Sequence, residues 1–146
     1  MAATRSSAVV ADASVIAKWF VNERFTEHSL RLKQAHVGLQ TRISVPVLAR
    51  YEVLNALKYS GKFGTQELVR ISKDLENYQF FELPFDGTYA ETAVNIASDY
   101  GITVYDSAYI AIGQTRGIPV FTADERMLEK IEDLKFVRHI REYRPD

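Results

Sequence analysis

Residues 101–127 restrict the fold of this chain more than any other stretch, because they place two aspartates at consecutive predicted helix starts. Asp106 precedes a short apolar helix predicted over residues 107–114, and Asp124 opens the helix that follows. Between these helices, residues 119–122 are mostly apolar and predict a buried strand. This order of helix, strand and helix predicts an α/β fold with a central parallel sheet flanked by helices, and such folds keep their sites where the strands end.

Each of these aspartates also has an ordinary structural explanation. An aspartate in front of a helix often serves only as its cap, because the carboxylate accepts hydrogen bonds from the first backbone amides. A third aspartate, Asp12, follows the apolar run of residues 8–11, which predicts another short buried strand. We expect all three aspartates to follow strands of short α/β units, and right-handed crossovers would bring such strand ends into one crevice, so together they indicate a cluster more strongly than any one does.

The composition of the chain excludes several kinds of protein and site. With 146 residues, the chain suits one domain that has a core of its own. It contains no cysteine, which excludes disulfides, thiolate-bound zinc and a cysteine nucleophile. The 18 basic and 19 acidic side chains nearly balance, so the net charge favours neither a nucleic acid nor a membrane as partner. No apolar run is long enough for a signal peptide or a membrane helix, and we therefore expect a soluble, cytoplasmic protein.

A cluster of carboxylates predicts a bound cation. Carboxylates within a few ångströms repel and raise one another's pKa, so a protein normally keeps such a cluster around a metal ion. Oxygen ligands favour Mg²⁺ or Mn²⁺, and Mg²⁺ keeps several waters while taking only a few carboxylates. That arrangement suits chemistry on a phosphate group, where the metal polarises a phosphoryl oxygen and supplies or orients a hydroxide. The sequence therefore predicts metal-dependent hydrolysis of a phosphodiester bond.

Four stretches of the sequence resemble the signature blocks of the PIN-domain family, in particular its VapC-type toxins of toxin-antitoxin pairs. They read DASVIAKWF, EVLNAL, YDSAYIAIG and TADERM, and their order and spacing match from Val9 to about Leu134. The resemblance implies a ribonuclease with a central parallel sheet flanked by helices. We therefore predict one PIN-like nuclease domain over residues 8–138, a disordered start over residues 1–7 and a charged, mobile tail over residues 139–146.

The resemblance also assigns roles to individual residues. Its acidic quartet falls here on Asp12, Glu52, Asp106 and Asp124. The first and third of these acids would be the innermost ligands of Mg²⁺ or Mn²⁺, and the other two would bind a second metal or hold and deprotonate the attacking water. Three further positions match residues that support the acids, namely Ser14, Asn55 and Thr122. None of the four acids is missing, so the resemblance implies an active nuclease.

The substrate and partners would contact other surfaces of the chain. Residues 31–62 carry six basic side chains against the single acid Glu52, and two tyrosines interleave with them. Phosphate contact and base stacking are expected from Arg50, Lys58, Lys62, Tyr51 and Tyr59, although a solvated helix surface with core tyrosines explains the pattern equally well. The resemblance further implies a small antitoxin protein that wraps the toxin. Candidates for its groove, for a homodimer seam or simply for the core are Trp19, Phe20, Tyr59 and Phe63.

Two other classes of function remain open from the sequence. A phosphatase or phospho-acceptor domain of the doubly wound kind also places carboxylates after its first strand, but it needs a second aspartate two residues on, where this chain has Ser14. A non-catalytic domain that binds RNA or protein would not need all four acids. The three histidines, His28, His36 and His139, show no paired ligand motif and are expected at the surface.

Overall fold

The computed structural model describes residues 7–145, and its centre is a five-stranded sheet in which all neighbouring strands are parallel. The strands are β1 (Ser7–Ala11), β2 (Thr41–Pro46), β3 (Phe81–Leu83), β4 (Val120–Thr122) and β5 (Val137–His139). Across the sheet their order is β3-β2-β1-β4-β5, so the chain builds outward from β1 first to one side and then to the other. The carboxyl ends of β1 and β4 therefore flank the point where the order reverses, and open α/β sheets bind their ligands at such a point.

In the described residues, seven α-helices and one short 3₁₀ helix flank this sheet. They are α1 (Ala13–Ala17), α2 (Thr26–Val37), α3 (Ala49–Tyr59), α4 (Thr65–Asn77), α5 (Gly87–Tyr100), α6 (Val104–Arg116), α7 (Glu125–Lys130) and the 3₁₀ helix Ile140–Glu142. For this strand order, right-handed crossovers predict α1 to α4 on one face of the sheet and α5 to α7 on the other. The predicted architecture, a central parallel sheet flanked by helices, is confirmed. Across residues 7–145 no helix is both long and apolar enough to span a membrane.

Helix α6 is the most deeply buried helix among the described elements. Every residue from position 107 to position 113 is buried, and the helix packs against β1 and β2. Gly113 allows the closest approach to the sheet, because a Cβ atom there would lie 2.9 Å from the carbonyl oxygen of Ile118 and would collide with Val120. A helix enclosed in this way holds its side chains in fixed positions relative to the sheet.

Helix α6 begins three residues earlier than the sequence predicts, and this changes the role of Asp106. The N-cap is Thr103, whose Oγ1 accepts a hydrogen bond of 3.0 Å from the backbone N–H of Asp106. Asp106 therefore lies inside the first turn and does not occupy the cap position. It also follows helix α5 and a short loop, so the expectation that all three aspartates follow strands is wrong for Asp106.

The ends of the domain also differ from the prediction. Residues 1–6 lie outside the described residues, while Ser7 already belongs to β1 and pairs with Thr41. Beyond β5, where the sequence predicts a charged, mobile tail, Ile140 and Tyr143 are buried. The Tyr143 ring packs edge-on against Phe121 with the ring centroids 5.4 Å apart. These two apolar residues, three positions apart among charged ones, anchor the segment to the core. The charged composition of the segment as a whole does not indicate this.

Candidate active site

Asp12 occupies the end of β1 and the N-cap of α1 at the same time. Its Oδ1 accepts a hydrogen bond of 3.3 Å from the backbone N–H of Val15 and one of 2.5 Å from the hydroxyl of Ser14. The residue is only 7% exposed. A carboxylate is rarely buried to this degree without a charged partner, so capping alone does not explain why an aspartate stands here.

Ser14 and Thr122 join the end of β1 to the end of β4. The Ser14 hydroxyl oxygen accepts a hydrogen bond of 2.9 Å from the backbone N–H of Ala123 and lies 3.4 Å from the Thr122 hydroxyl oxygen. Thr122 in turn accepts a hydrogen bond of 3.0 Å from the backbone N–H of Asp124. Two of the three predicted supporting residues thus lie in one hydrogen-bond network with Asp12, at the reversal point of the sheet. We call this network the β1–β4 clamp.

Asp124 caps α7, as the sequence predicts. Its Oδ1 accepts a hydrogen bond of 3.0 Å from the backbone N–H of Met127. The carboxylate of Asp124 acts electrostatically on Asp106, whose pKa it raises. The two aspartates that flank the predicted strand therefore lie near each other, although they stand on different helices.

Glu52 approaches the same edge of the sheet from helix α3. It is half-buried, and its Oε1 accepts a hydrogen bond of 2.7 Å from the hydroxyl of Tyr109 on helix α6. Tyr109 is 2% exposed and is not among the residues that the sequence predicts for the site. A usable signal was present, because Tyr109 lies three residues after Asp106 on the same helix face and a buried tyrosine hydroxyl normally finds a partner.

Burial and neighbouring charges perturb the ionisation of Asp12, Glu52 and Asp106. Burial raises the pKa of Asp12 to about 6, hydrogen bonds from Ser14, Thr122 and the Val15 amide lower it, and the charge of Asp106 raises it. Burial also raises the pKa of Glu52, which the Tyr109 hydrogen bond lowers and the charges of Asp106 and Asp12 raise. The pKa of Asp106 is raised by burial and by Asp124, and lowered by Thr103 and Lys130. Like charges that lie near one another raise each other's pKa in this way.

The donor chemistry of this cluster fits a hard divalent cation. All four side chains offer carboxylate oxygens, and among the ion pairs of residues 7–145 none includes Asp12, Glu52, Asp106 or Asp124. The side chains nevertheless stand apart, and within the described range no three His, Cys, Asp or Glu residues are close enough to hold one ion. Repulsion between like charges of limited solvent exposure favours such a spread arrangement.

The other residues predicted to contact substrate lie on or near helix α3. Tyr51 and Tyr59 are 78% and 76% exposed, which excludes the alternative that they are core tyrosines. Arg50 is engaged with Glu82, its Nε lying 2.7 Å from the Glu82 carboxylate. Lys58 and Lys62 are exposed as well, and so is Asn55, which the sequence predicts as a support of the acids. The structure thus brings Asn55 onto the helix of Glu52 but, in the described chain, forms no hydrogen bond between Asn55 and the acids.

The prediction of surface histidines is wrong for two of the three. His36 and His139 are buried, and each accepts a backbone hydrogen bond, from Ile43 at 3.2 Å and from Arg141 at 3.0 Å respectively. Both rings hold loop or strand backbone in place. Trp19 is also buried, and its indole N–H donates to the carbonyl oxygen of Ser29. Trp19 is therefore a core residue.

Comparison with known proteins places this geometry in one family. The sequence model of the PIN domain matches residues 9–134. Ribonuclease VapC3 of Pyrobaculum aerophilum is 34% identical over 130 residues, which cover 86% of this chain and 96% of that protein. The fold resembles a toxin-antitoxin complex from Klebsiella pneumoniae (TM-score 0.65, 17% identity, 90% of this chain and 97% of that one). It also resembles FitAcB from Neisseria gonorrhoeae (TM-score 0.63, 17% identity, 92% and 99%). The sequence match and the fold together establish that this chain belongs to the PIN-domain family.

Proposed function

We propose that this chain is a divalent-metal-dependent endoribonuclease that hydrolyses RNA phosphodiester bonds as the toxin of a toxin-antitoxin pair. The observation that carries the proposal is the electrostatic coupling of four carboxylates from four separate segments at the β1–β4 end of the sheet. A structural cap does not require such coupling. The match to the PIN-domain family and to a relative named as a VapC ribonuclease supports the choice of RNA as substrate.

Mg²⁺ or Mn²⁺ would draw together the side chains of Asp12, Asp106 and Glu52, because in the described residues these carboxylates stand farther apart than the ligands of one ion do. Glu52 is influenced by the charges of both aspartates, which supports grouping these three acids. The charge of Asp124 raises the pKa of Asp106, and of the cluster only Asp106 is affected in this way. This suits a role for Asp124 in holding a second metal or the attacking water on the far side of the site. When bound, the cation neutralises the carboxylates and polarises the phosphate, which allows a negatively charged substrate to approach.

The chain itself contributes orientation and proton transfer. The β1–β4 clamp fixes the direction of the Asp12 carboxylate through the Ser14 hydroxyl. Glu52 has one oxygen bound by Tyr109, which leaves Oε2 for the cation or for a proton of the attacking water. Burial raises the pKa of Glu52, and a general base works best with a pKa close to the working pH. No covalent intermediate is needed in this scheme.

RNA would reach the acids along helix α3. Lys58 and Lys62 offer positive charge to the phosphates, and the exposed Tyr51 and Tyr59 offer flat surfaces on which unpaired bases stack. Tyr51, Lys58 and Tyr59 belong to the same helix as Glu52, which is the link between the proposed path and the acids. Arg50 contributes less to this path, because its guanidinium is already paired with Glu82.

The proposed protein partners are a cognate antitoxin and a second copy of the chain, both in the cytoplasm where RNA is available. The similar structures include a toxin-antitoxin complex, which supports the antitoxin. Phe20 and Phe63 line one cavity together with Ile71, between the end of α1 and helix α4, and this cavity is the proposed antitoxin groove. Co-expression with the neighbouring open reading frame should give a stable complex of low nuclease activity, whereas equal activity with and without that neighbour contradicts restraint.

One experiment separates the proposed function from its rivals. Purified protein is incubated with structured RNA in Mg²⁺, in Mn²⁺ and in EDTA, beside Asp106→Asn and the control Asp99→Asn, which changes an exposed aspartate of helix α5. We expect the wild type and the control to cut RNA only with metal, and Asp106→Asn to be inactive. In thermal melts, Mg²⁺ at ten times its Kd should stabilise the active proteins by about 1.4 kcal/mol, and Asp106→Asn much less. Cleavage in EDTA refutes the metal mechanism, and phosphate release from small esters favours the phosphatase.

A further inference from the structure

We propose that Tyr109 is a positioning residue of this site, whose hydroxyl holds the Glu52 carboxylate against the charges of Asp12 and Asp106. This inference rests on the proposed function, because it assigns Glu52 to the metal-binding set. Tyr109 touches neither substrate nor metal in this arrangement. It acts only through the oxygen of Glu52 to which it donates, 2.7 Å away.

The position of the Tyr109 hydroxyl is fixed by its helix. Tyr109 is 2% exposed, and all its neighbours from position 107 to position 113 of α6 are buried as well. The same helix carries Asp106 one turn earlier, on the same face. One rigid element therefore supplies an acid of the cluster and also the donor that orients an acid from another element.

Glu52 needs such a donor more than the other acids do. Asp12 and Asp124 are short side chains anchored by capping hydrogen bonds from backbone amides. Glu52 has a longer side chain with more rotatable bonds, and it stands in the first turn of α3, where Leu48 at the cap position makes no side-chain hydrogen bond. With Oε1 bound to Tyr109, the carboxylate plane is restricted and Oε2 remains available to the cluster.

A purely structural role for Tyr109 makes a different prediction. A buried tyrosine hydroxyl needs a hydrogen-bond partner. In that case Glu52 is only the acceptor that the hydroxyl requires, and Tyr109 does not orient Glu52. Tyr100 provides a matched comparison, because its hydroxyl donates a hydrogen bond of 2.8 Å to the carboxylate of Asp133 at the protein surface. Deleting each hydroxyl by a change to Phe removes the same chemical group from a tyrosine–carboxylate pair, once inside the candidate site and once outside it.

The decisive measurement is the binding of Mn²⁺ in the absence of RNA, detected by electron paramagnetic resonance. Loss of a partner that orients a metal ligand typically weakens metal affinity by about 10–100-fold, and we expect a change of this size for Tyr109→Phe. Tyr100→Phe should bind Mn²⁺ like the wild type. In cleavage assays, Tyr109→Phe should raise the Mg²⁺ concentration needed for half-maximal activity more than it lowers the rate at saturating Mg²⁺. Circular dichroism of the metal-free variants checks that both remain folded.

A double-mutant cycle tests whether Tyr109 acts through Glu52. In a Glu52→Ala background, Tyr109→Phe should weaken Mn²⁺ binding no further, because the residue that it positions is gone. Additive losses, or an Mn²⁺ affinity of Tyr109→Phe equal to that of the wild type, overturn the inference and leave Tyr109 as a core residue. A wild type that binds Mn²⁺ but cuts no RNA refutes the proposed function instead, and the binding cycle still decides the role of Tyr109. A wild type that binds no Mn²⁺ refutes both.

Discussion

Replacing Asp12 by Asn should stabilise the metal-free protein at neutral pH while removing its activity. Asp12 is 7% exposed, and burial raises its pKa from the ordinary value of 3.8 to about 6. At about 1.4 kcal/mol for each pKa unit, keeping Asp12 ionised in the folded protein costs about 3 kcal/mol at pH 7. Asn is neutral, has nearly the same shape and is an equally good N-cap, so it should retain the hydrogen bond from the Val15 amide without this cost.

The sign of the effect fixes its pH dependence. Because the pKa of Asp12 is higher in the folded state, the folded protein binds more protons than the unfolded chain between pH 3.8 and about 6. Its stability must therefore fall as pH rises through this window, and the whole cost is present above it. Asp12→Asn should lose most of this slope. A smaller slope should remain, since burial also raises the pKa of Glu52 and of Asp106.

Urea unfolding in EDTA at several pH values between 4 and 8 measures both quantities. We expect Asp12→Asn to gain about 2–3 kcal/mol over the wild type at pH 7 and little at pH 4. The control is Asp86→Asn, which removes the same charge from an exposed residue at the start of α5 and should change neither stability nor slope appreciably. A variant less stable than the wild type at pH 7, or one with an unchanged pH slope, would show that Asp12 bears no ionisation cost and would refute the reasoning.

Two further predictions concern the packing of helix α6 and the path of RNA. Gly113→Ala should destabilise the fold by about 1–3 kcal/mol because its Cβ collides with Val120 and the Ile118 carbonyl, whereas Gly64→Ala should cost less in the same denaturation assay because its Cβ would lie 3.7 Å from the Glu67 side chain. An undisturbed Gly113→Ala protein would contradict the close packing of α6 on the sheet. Lys58→Ala should lower the slope of log affinity for single-stranded RNA against log salt by about 0.7, measured with a catalytically inactive protein. Arg50→Ala should change that slope less, because Arg50 is paired with Glu82, and the reverse order of effects would exclude the proposed path.

Several parts of the site could be read from the sequence because they depend on local rules. Asp12 and Asp124 lie between a strand and a helix, and both the cap and the strand end are visible in the neighbouring residues. Ser14 and Thr122 could be placed beside the acids only through the family resemblance. The contacts of the Ser14 hydroxyl with the Thr122 hydroxyl and with the Ala123 amide span 108 and 109 residues of chain, and no local pattern encodes such a contact.

The start of helix α6 shows how one local rule competes with another. The residue order offers Asp106 as a possible cap, because aspartate is common at that position. Thr103 is equally suited, and a threonine followed three residues later by an acid is itself a helix-start signature. The choice of Thr103 extends the helix by one turn and turns Asp106 from a possible cap into a residue of the first turn. The Asp106 carboxylate then lies one helical turn before Tyr109. The shorter predicted helix does not include Asp106, so it does not indicate that Tyr109 belongs to the site.

The site combines two kinds of residue. Removing the first kind should change stability and activity in opposite directions, whereas removing the second kind should lower both. A neutral amide at position 12 would keep the stabilising contacts that Asp12 makes. Removing its charge should therefore raise stability and abolish activity together. The hydroxyls of Ser14 and Tyr109 offset part of the cost of the charges, since each lowers the pKa of the carboxylate to which it donates. Removing either hydroxyl should therefore reduce both the stability of the ionised site and its ability to hold a cation. A protein that built this cluster only to cap helices would have no use for donors that keep buried carboxylates ionised, and their presence is the physical reason to regard the cluster as a site for a cation.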